Sequence, residues 1–421
     1  MTEFSGPGAD VATLVASPGT TARRPRYAVG VVTYLLFAVM LGGTAPTPLY
    51  PLYAQRLSLS PTMMSVVFAV YAIGIVVCLV LLGGMSDRVG RRRTLAAALG
   101  VSAASSLVFI LSPSLPGLLA GRSLSGVSVG LVTGAGTAYL GELHSSRPRA
   151  ALIASVTNML ALGAGPLMSG LLAQYAPAPT AAPYAVLLAL LLPGAALAAL
   201  PETVTATTGR ALPGRLRIPA RLRRTFMAAA VAVFTGFAVL GLLAALTGDF
   251  LATGLHNTSR LMTGTVVFGG FAAAGAAQLL AIRLTPRTGA VTGLAAVPAG
   301  LTVLVTALPA HSLALFLASS VLSGAGTGLV FRSGLALTLA GTPAEQAGEV
   351  SSCYFLAAYL GLTLPVMGTA VLITHGTLLT AALTFSVLLT ALAVPSALAV
   401  LATVPSRSGA AERAGGEDSM S

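Results

Sequence analysis

Charged side chains make up only 8% of this 421-residue chain, so each one carries information. The densest group is Gly83-Gly84-Met85-Ser86-Asp87-Arg88-Val89-Gly90-Arg91-Arg92-Arg93. One carboxylate and a cluster of guanidinium groups stand in a turn between two apolar runs. Arginine–carboxylate hydrogen bonds are strong and geometrically specific. The turn can therefore act as an ionic clasp, and Glu142, at the end of a later apolar run, is a second carboxylate for Arg91 and its neighbours. Gly83 allows close helix approach, and Gly90 permits a turn at positive φ. Asp87 suits a helix N-terminus, where the dipole favours negative charge.

Two arginines fall inside apolar runs. Arg122, Gly126, Gly130 and Gly134 recur every four residues and share one helix face. An arginine at membrane depth is costly and marks a functional site. Gly324, Gly328 and Arg332 repeat the stripe later, where Arg332 either snorkels to the interface or lines a cavity. None of the eleven carboxylates is expected near the middle of an apolar run. A central cavity would instead offer Tyr34, Phe37, Met40, Thr44, Asn158, Phe234, Phe237, Tyr354 and Tyr359, which suit apolar or neutral solutes. An acid whose protonation responds to its surroundings must then be a peripheral one. Arg122 can hold a neighbouring acid ionised, and Asp249, on the same side as Arg122, is the candidate. The histidines His144, His256, His311 and His375 are scattered without catalytic spacing, which argues against an enzyme. Cys78 and Cys353 sit in apolar runs, and no metal or disulfide spacing exists. No cofactor is expected.

The elements that position these residues are membrane helices. The chain is 55% hydrophobic, with mean hydropathy +0.89, whereas soluble domains carry about 25% charge. A span needs about 20 apolar residues, and there is room for about twelve. They are expected at 27–49, 62–82, 94–111, 115–140, 150–175 and up to 200, then from 226, 261, 290, 313, 347 and 377 onwards. Residues 1–26 read as a cytoplasmic N-terminal tail without a cleavable signal, 202–225 as a basic cytoplasmic linker, and 404–421 as a cytoplasmic tail. Two bundles result, 27–201 and 226–403. Every basic residue is arginine. With the N-terminus inside, Arg56 and Arg260 face out, Arg122 and Arg332 lie within spans, and all other arginines lie inside, as the positive-inside rule asks. The net charge of +12 thus reflects membrane-flanking loops rather than nucleic acid binding.

The halves repeat. Phe37-Ala38-Val39 matches Phe237-Ala238-Val239, Ser125-Gly126 matches Ser323-Gly324, and Pro166-Leu167-Met168 matches Pro365-Val366-Met367. Parallel six-helix repeats with a substrate site between them are a transporter architecture.

The run Gly83-x3-Asp87-Arg88-x-Gly90-Arg91-Arg92 resembles the signature of the major facilitator superfamily between its second and third helices. That resemblance implies an all-α membrane fold of twelve transmembrane helices in two pseudo-two-fold-related bundles, working as a monomer by alternating access. It also implies a latch in which Asp87 sits near the start of the eleventh span, around Glu349. Arg122-x3-Gly126 resembles the fourth-helix motif of the proton-coupled members. Ala161-x3-Gly165-Pro166-x2-Ser169-Gly170 resembles the fifth-helix signature of the antiporters, with Ala161 and Ser169 where glycine is preferred. Pro166 frees the carbonyl of Leu162 and can bend its helix. The implied function is export of small amphiphilic or neutral compounds in exchange for protons across a bacterial inner membrane. The alternatives are an uptake carrier of the same fold or a membrane enzyme or sensor.

Overall fold

The computed structural model describes residues 27–82, 85–204, 218, 220–340, 342 and 347–403. The expected tails, Gly83 and most of the linker lie outside the described residues. All the described elements are helical. Twelve of them are long and apolar enough to cross a membrane: α1 (Tyr27–Leu57), α2 (Met63–Leu82), α3 (Arg91–Leu111), α4 (Leu115–Leu143), α5 (Arg147–Tyr175), α6 (Ala182–Ala199), α7 (Ala220–Gly254), α8 (Arg260–Arg283), α9 (Pro286–Ala307), α10 (Leu313–Ala340), α11 (Glu349–Ile373) and α12 (Leu378–Ala402).

Local chemistry explains where these helices start, stop and change pitch. α1 does not end at residue 49 as expected but runs on to Leu57. It passes through a 3₁₀ turn, Thr47–Leu49, and resumes at Tyr50–Leu57. Proline is tolerated there because it occupies first-turn positions, whose N–H groups have no intrahelical partner. α4, α8 and α9 begin after Ser114, Ser259 and Thr285, each of which accepts a backbone N–H with its hydroxyl. The last two turns of α6 tighten into a 3₁₀ helix, Leu192–Ala199.

Packing repeats the sequence duplication. In the first bundle α1 packs on α4 and α5, α4 on α2 and α3, and α3 on α6; the second bundle repeats every pairing six helices later. The bundles meet along two seams, α2 on α11 and α5 on α8. The same shift of six converts one seam into the other, which is pseudo-two-fold symmetry.

Glycines set these close approaches. On α4, a Cβ at Gly126 would meet the Tyr71 carbonyl and lie 3.0 Å from the Gly74 Cα of α2. On α10, Gly324 abuts Gly270 of α8 in the equivalent way. Overpacking of this kind costs about 1–3 kcal/mol. Gly126→Val is therefore expected to lose most of its monodisperse peak in fluorescence-detected gel filtration. Gly134→Ala, with nothing within 4 Å of the new methyl, should elute like the wild type. Equal behaviour of the two would refute the close approach.

Candidate functional site

The arginine-rich turn is a compact polar knot at one face of the first bundle. Ser86–Val89 forms a single helical turn, and Gly90 follows at φ 109°, the left-handed-side geometry expected of it. Arg91 is buried at 8% exposure. Its Nε and Nη2 donate to one Glu142 oxygen at 3.0 and 2.8 Å, its Nη1 donates to Ser86 at 2.5 Å, and Nη2 pairs with Asp87 at 2.5 Å. Thr203 also donates to Glu142.

The N-terminus of α3 is capped by a residue the sequence did not single out. Glu202, just after α6, accepts the backbone N–H of Arg91 at 2.7 Å and of Arg92 at 3.2 Å. A carboxylate there satisfies orphan donors and complements the helix dipole. The Arg92 guanidinium donates to the Ala198 and Leu200 carbonyls at 3.2 Å each, closing the end of α6. Asp87 itself is 59% exposed and paired within its own repeat, as is Glu142. The backbone N–H groups at the start of α3 are thus capped by Glu202, and among the described residues Asp87 pairs with Arg91. Glu349 stands half-buried in the first turn of α11.

The second polar group lies between the bundles. On α4, Arg122 is 1% exposed. Its Nη1 donates to the Gly43 carbonyl of α1 at 2.8 Å, and its guanidinium sits 4.1 Å above the Tyr71 ring and 5.6 Å from that of Phe68, both on α2. The helix that carries Tyr71, α2, packs on α11 of the second bundle. Further along α4, Thr133 shares a hydrogen bond with the Tyr359 hydroxyl of α11 at 3.3 Å. Asn158 of α5 is buried, and its Oδ1 has no hydrogen-bond partner among the described residues.

The other expected residues are distributed differently. Thr44 donates to the Leu162 carbonyl at 2.8 Å, the group that Pro166 deprives of its helical partner. The α5 stripe works on two neighbours: Gly165 abuts Leu41 and Thr44 of α1, while Gly170 abuts Arg260 of α8. Ser169 donates to the Gly165 carbonyl at 2.9 Å, and Ala161 is fully buried. Tyr34 donates to the Leu190 carbonyl at 2.7 Å, within the first bundle. Tyr354 donates to the Phe331 carbonyl at 2.9 Å, and Phe237 lies 5.4 Å from the Phe331 ring, so both serve second-bundle packing. Met40 is wholly buried; Phe37 and Phe234 are half-buried against the core. Arg332 does not line the interior. Its guanidinium caps the end of α8, donating to Ala281 at 2.5 Å and Ile282 at 3.3 Å. Asp249 is exposed at the end of α7, where the helix widens into the π turn Phe250–Gly254. Tyr50, Phe68, Tyr71 and Thr133 were missed by the sequence reading. A lone tyrosine such as Tyr71 in an otherwise apolar run is the one signal that could have found it.

Two repeats of six helices meeting at symmetric seams around buried polar groups is a transporter arrangement. The sequence profile of the Major Facilitator Superfamily matches residues 32–364. The chain belongs to the major facilitator superfamily. It shares that superfamily's multi-pass membrane architecture of twelve helices. Among curated proteins it is 30% identical over 156 residues to the putative multidrug resistance protein MdtD of Escherichia fergusonii, covering 36% of this chain and 32% of that one. It is 29% identical over 161 residues to the inner membrane transport protein YajR of Escherichia coli, covering 37% and 34%. These matches thus span about a third of the relatives' own length. Among solved structures the human organic anion transporter MFSD10 superposes with TM-score 0.65 at 20% identity, over 89% of this chain and 99% of that one. A POT family transporter bound to 5-aminolevulinic acid superposes with TM-score 0.68 at 13% identity, over 87% and 94%. At such identities the superfamily likeness is one of fold.

Proposed function

We propose that this transporter exports small amphiphilic compounds in exchange for protons, acting as a monomer in a bacterial inner membrane. The observation that carries this reading is the α5 motif at the seams. Gly165 brings α5 against α1, Thr44 takes over the carbonyl that Pro166 frees, and Gly163 and Gly170 bring α5 against α8, where Gly264 meets the Pro166 backbone. A glycine-lined seam allows two bundles to rock past one another, the motion alternating access requires. The relatives support the direction in name: one is a putative multidrug resistance protein and another an inner membrane transport protein.

The arginine bias places the Asp87–Arg91 turn, the linker and both tails in the cytoplasm, and Arg122 and Asp249 towards the outside. In this orientation the turn is a cytoplasmic latch. Breaking Asp87 or Glu142 away from Arg91 would free the α2–α3 connection to move as the cavity changes sides. Asp249, exposed at the outer end of α7, is the candidate for sensing the outer pH.

The test is accumulation of a panel of labelled amphiphiles in cells with and without the protein, with and without a protonophore. Expression should lower steady-state accumulation of at least one compound, and the protonophore should restore it. Higher accumulation of every transported compound, down its gradient, would replace export by uptake.

A further inference from the structure

We propose that Arg122, Tyr71 and Tyr50 form a subsite for the carboxylate head of an amphiphilic monoanion, so that the transported class is organic acids rather than neutral or cationic compounds. The proposal rests on the transport reading above and names the substrate class of that same interior.

Arg122 carries a charge that it cannot lose, because a guanidinium stays protonated in proteins. At 1% exposure it has no solvent to share that charge with. Buried charges are ordinarily paired with an opposite charge. Both ion pairs among the described residues belong to Arg91, and none to Arg122. Its groups meet one neutral carbonyl, Gly43 at 2.8 Å, and the faces of Tyr71 and Phe68. Carbonyl dipoles and ring quadrupoles lower the cost of the charge without cancelling it.

The donors around it are also unspent. Arg122 Nε, the Tyr71 hydroxyl and the Tyr50 hydroxyl are all buried without a hydrogen-bond partner among the described residues. They lie together. A Cβ built on Gly43, the residue whose carbonyl takes Arg122, would fall 2.5 Å from the Tyr71 hydroxyl. The Phe68 ring, 5.6 Å from the Arg122 guanidinium and 6.2 Å from the Tyr50 ring, joins Tyr50 to the same group. A carboxylate is acceptor-only and can take several such donors, including a guanidinium edge. A cation offers these donors nothing. A neutral solute can accept their hydrogen bonds but leaves the charge standing.

Two further features place this group on the transport path. Tyr71 and Phe68 stand on α2, the helix that packs on α11 of the second bundle, so the donors lie beside the surface along which the bundles separate. Phe68, packed 6.2 Å from Tyr50 ring to ring, supplies an aromatic wall for an apolar body. The charge is also confined to one repeat. Ser320 stands 198 residues on, at the matching place of α10, and spends its hydroxyl on the Val266 carbonyl at 3.1 Å. Helix packing at this position therefore does not need an arginine, and the guanidinium of the first repeat is left for a ligand.

The experiment uses the full-length protein purified in detergent, where no gradient or direction enters. The probes are matched pairs of an aromatic acid and its primary amide, beginning with naphthalene-1-acetate and naphthalene-1-acetamide, together with naphthalene-1-methylamine. Binding is read as thermal stabilisation over a concentration series in a chloride-free buffer. The acid should bind at least about ten-fold more tightly than its amide, as expected for a charge-assisted bond in a dry site. Tyr71→Phe keeps the ring under Arg122 and removes only the hydroxyl; it should weaken the acid several-fold and leave the amide unchanged. Arg122→Gln should abolish the preference. If Arg122→Gln does not fold, the Tyr71→Phe comparison still decides. A panel in which no acid outcompetes its amide overturns the proposal. So does a chloride arm that stabilises the protein as well as every acid, since the site would then be an inorganic anion site. Failure of the export reading leaves a different record: acids bind in detergent, yet accumulation in cells does not fall.

Discussion

Arg122→Ala is expected to abolish active export while the protein still reaches the membrane. The side chain is the largest fully buried one among the described residues, and its contacts join three helices: the Gly43 carbonyl of α1, the Tyr71 ring of α2 and its own α4. Truncation removes the buried positive charge and opens a space over the Tyr71 ring. Transport should fall at least about ten-fold, the effect of losing a single charge-assisted contact. Insertion should survive, because Gly126 and Gly130 still pack α4 against α2. Arg122→Lys should recover only part of the rate. Lysine keeps a charge but lacks the planar fork that lies flat on Tyr71. Export from everted vesicles, normalised to the protein detected in the same membranes, measures this. Normal export by Arg122→Ala would reduce the α4 motif to helix packing and remove the main mechanistic support for antiport.

Arg91→Ala should slow transport at least about ten-fold with near-normal membrane levels, through the geometry of one guanidinium serving three partners. Glu142 receives two of its N–H groups on a single oxygen, Ser86 a third, and Asp87 pairs alongside. The static energy of these pairs is modest, because Glu142 is 30% and Asp87 59% exposed and water screens them; exposed ion pairs are worth only about 0–1 kcal/mol. Their importance lies in holding the α2–α3 turn in one arrangement. A double-mutant cycle between Arg91→Ala and Glu142→Gln on transport rate should give a coupling of about 1 kcal/mol, larger than that with the more exposed Asp87→Asn. Additive losses would mean that Arg91 and Glu142 do not act as a unit.

Much of this was legible along the chain because the governing interactions are local. Apolar run length set the spans, since each helix satisfies its own backbone and only its outer surface must match the bilayer. Gly90 was readable because a positive φ is a property of one residue. The Leu162 carbonyl was readable because a proline deprives the residue four before it. What takes that carbonyl was not readable: Thr44 comes from another helix, and it had been assigned to the cavity wall. Arg332 was ambiguous for a related reason. Its place near a helix end fitted either reading, and only the approach of the α8 terminus settles it as a cap.

Composition and periodicity alone therefore determined the membrane class, the twelve helices, the duplication and the special character of the Asp87–Arg91 turn and the α4 and α5 stripes. These follow from hydropathy, from backbone geometry, from side chains spaced three or four apart on one helix or, for the duplication, from matching segments in the two halves. Tertiary structure alone decided the partners. Glu202 caps α3 from 111 residues away, Tyr71 lies beneath Arg122, and Thr133 reaches Tyr359 across 226 residues. A hydrogen bond constrains two atoms to about 3 Å regardless of how much chain separates them. Nothing in either residue's neighbours in sequence encodes that distance; the packing of α2, α4 and α11 does.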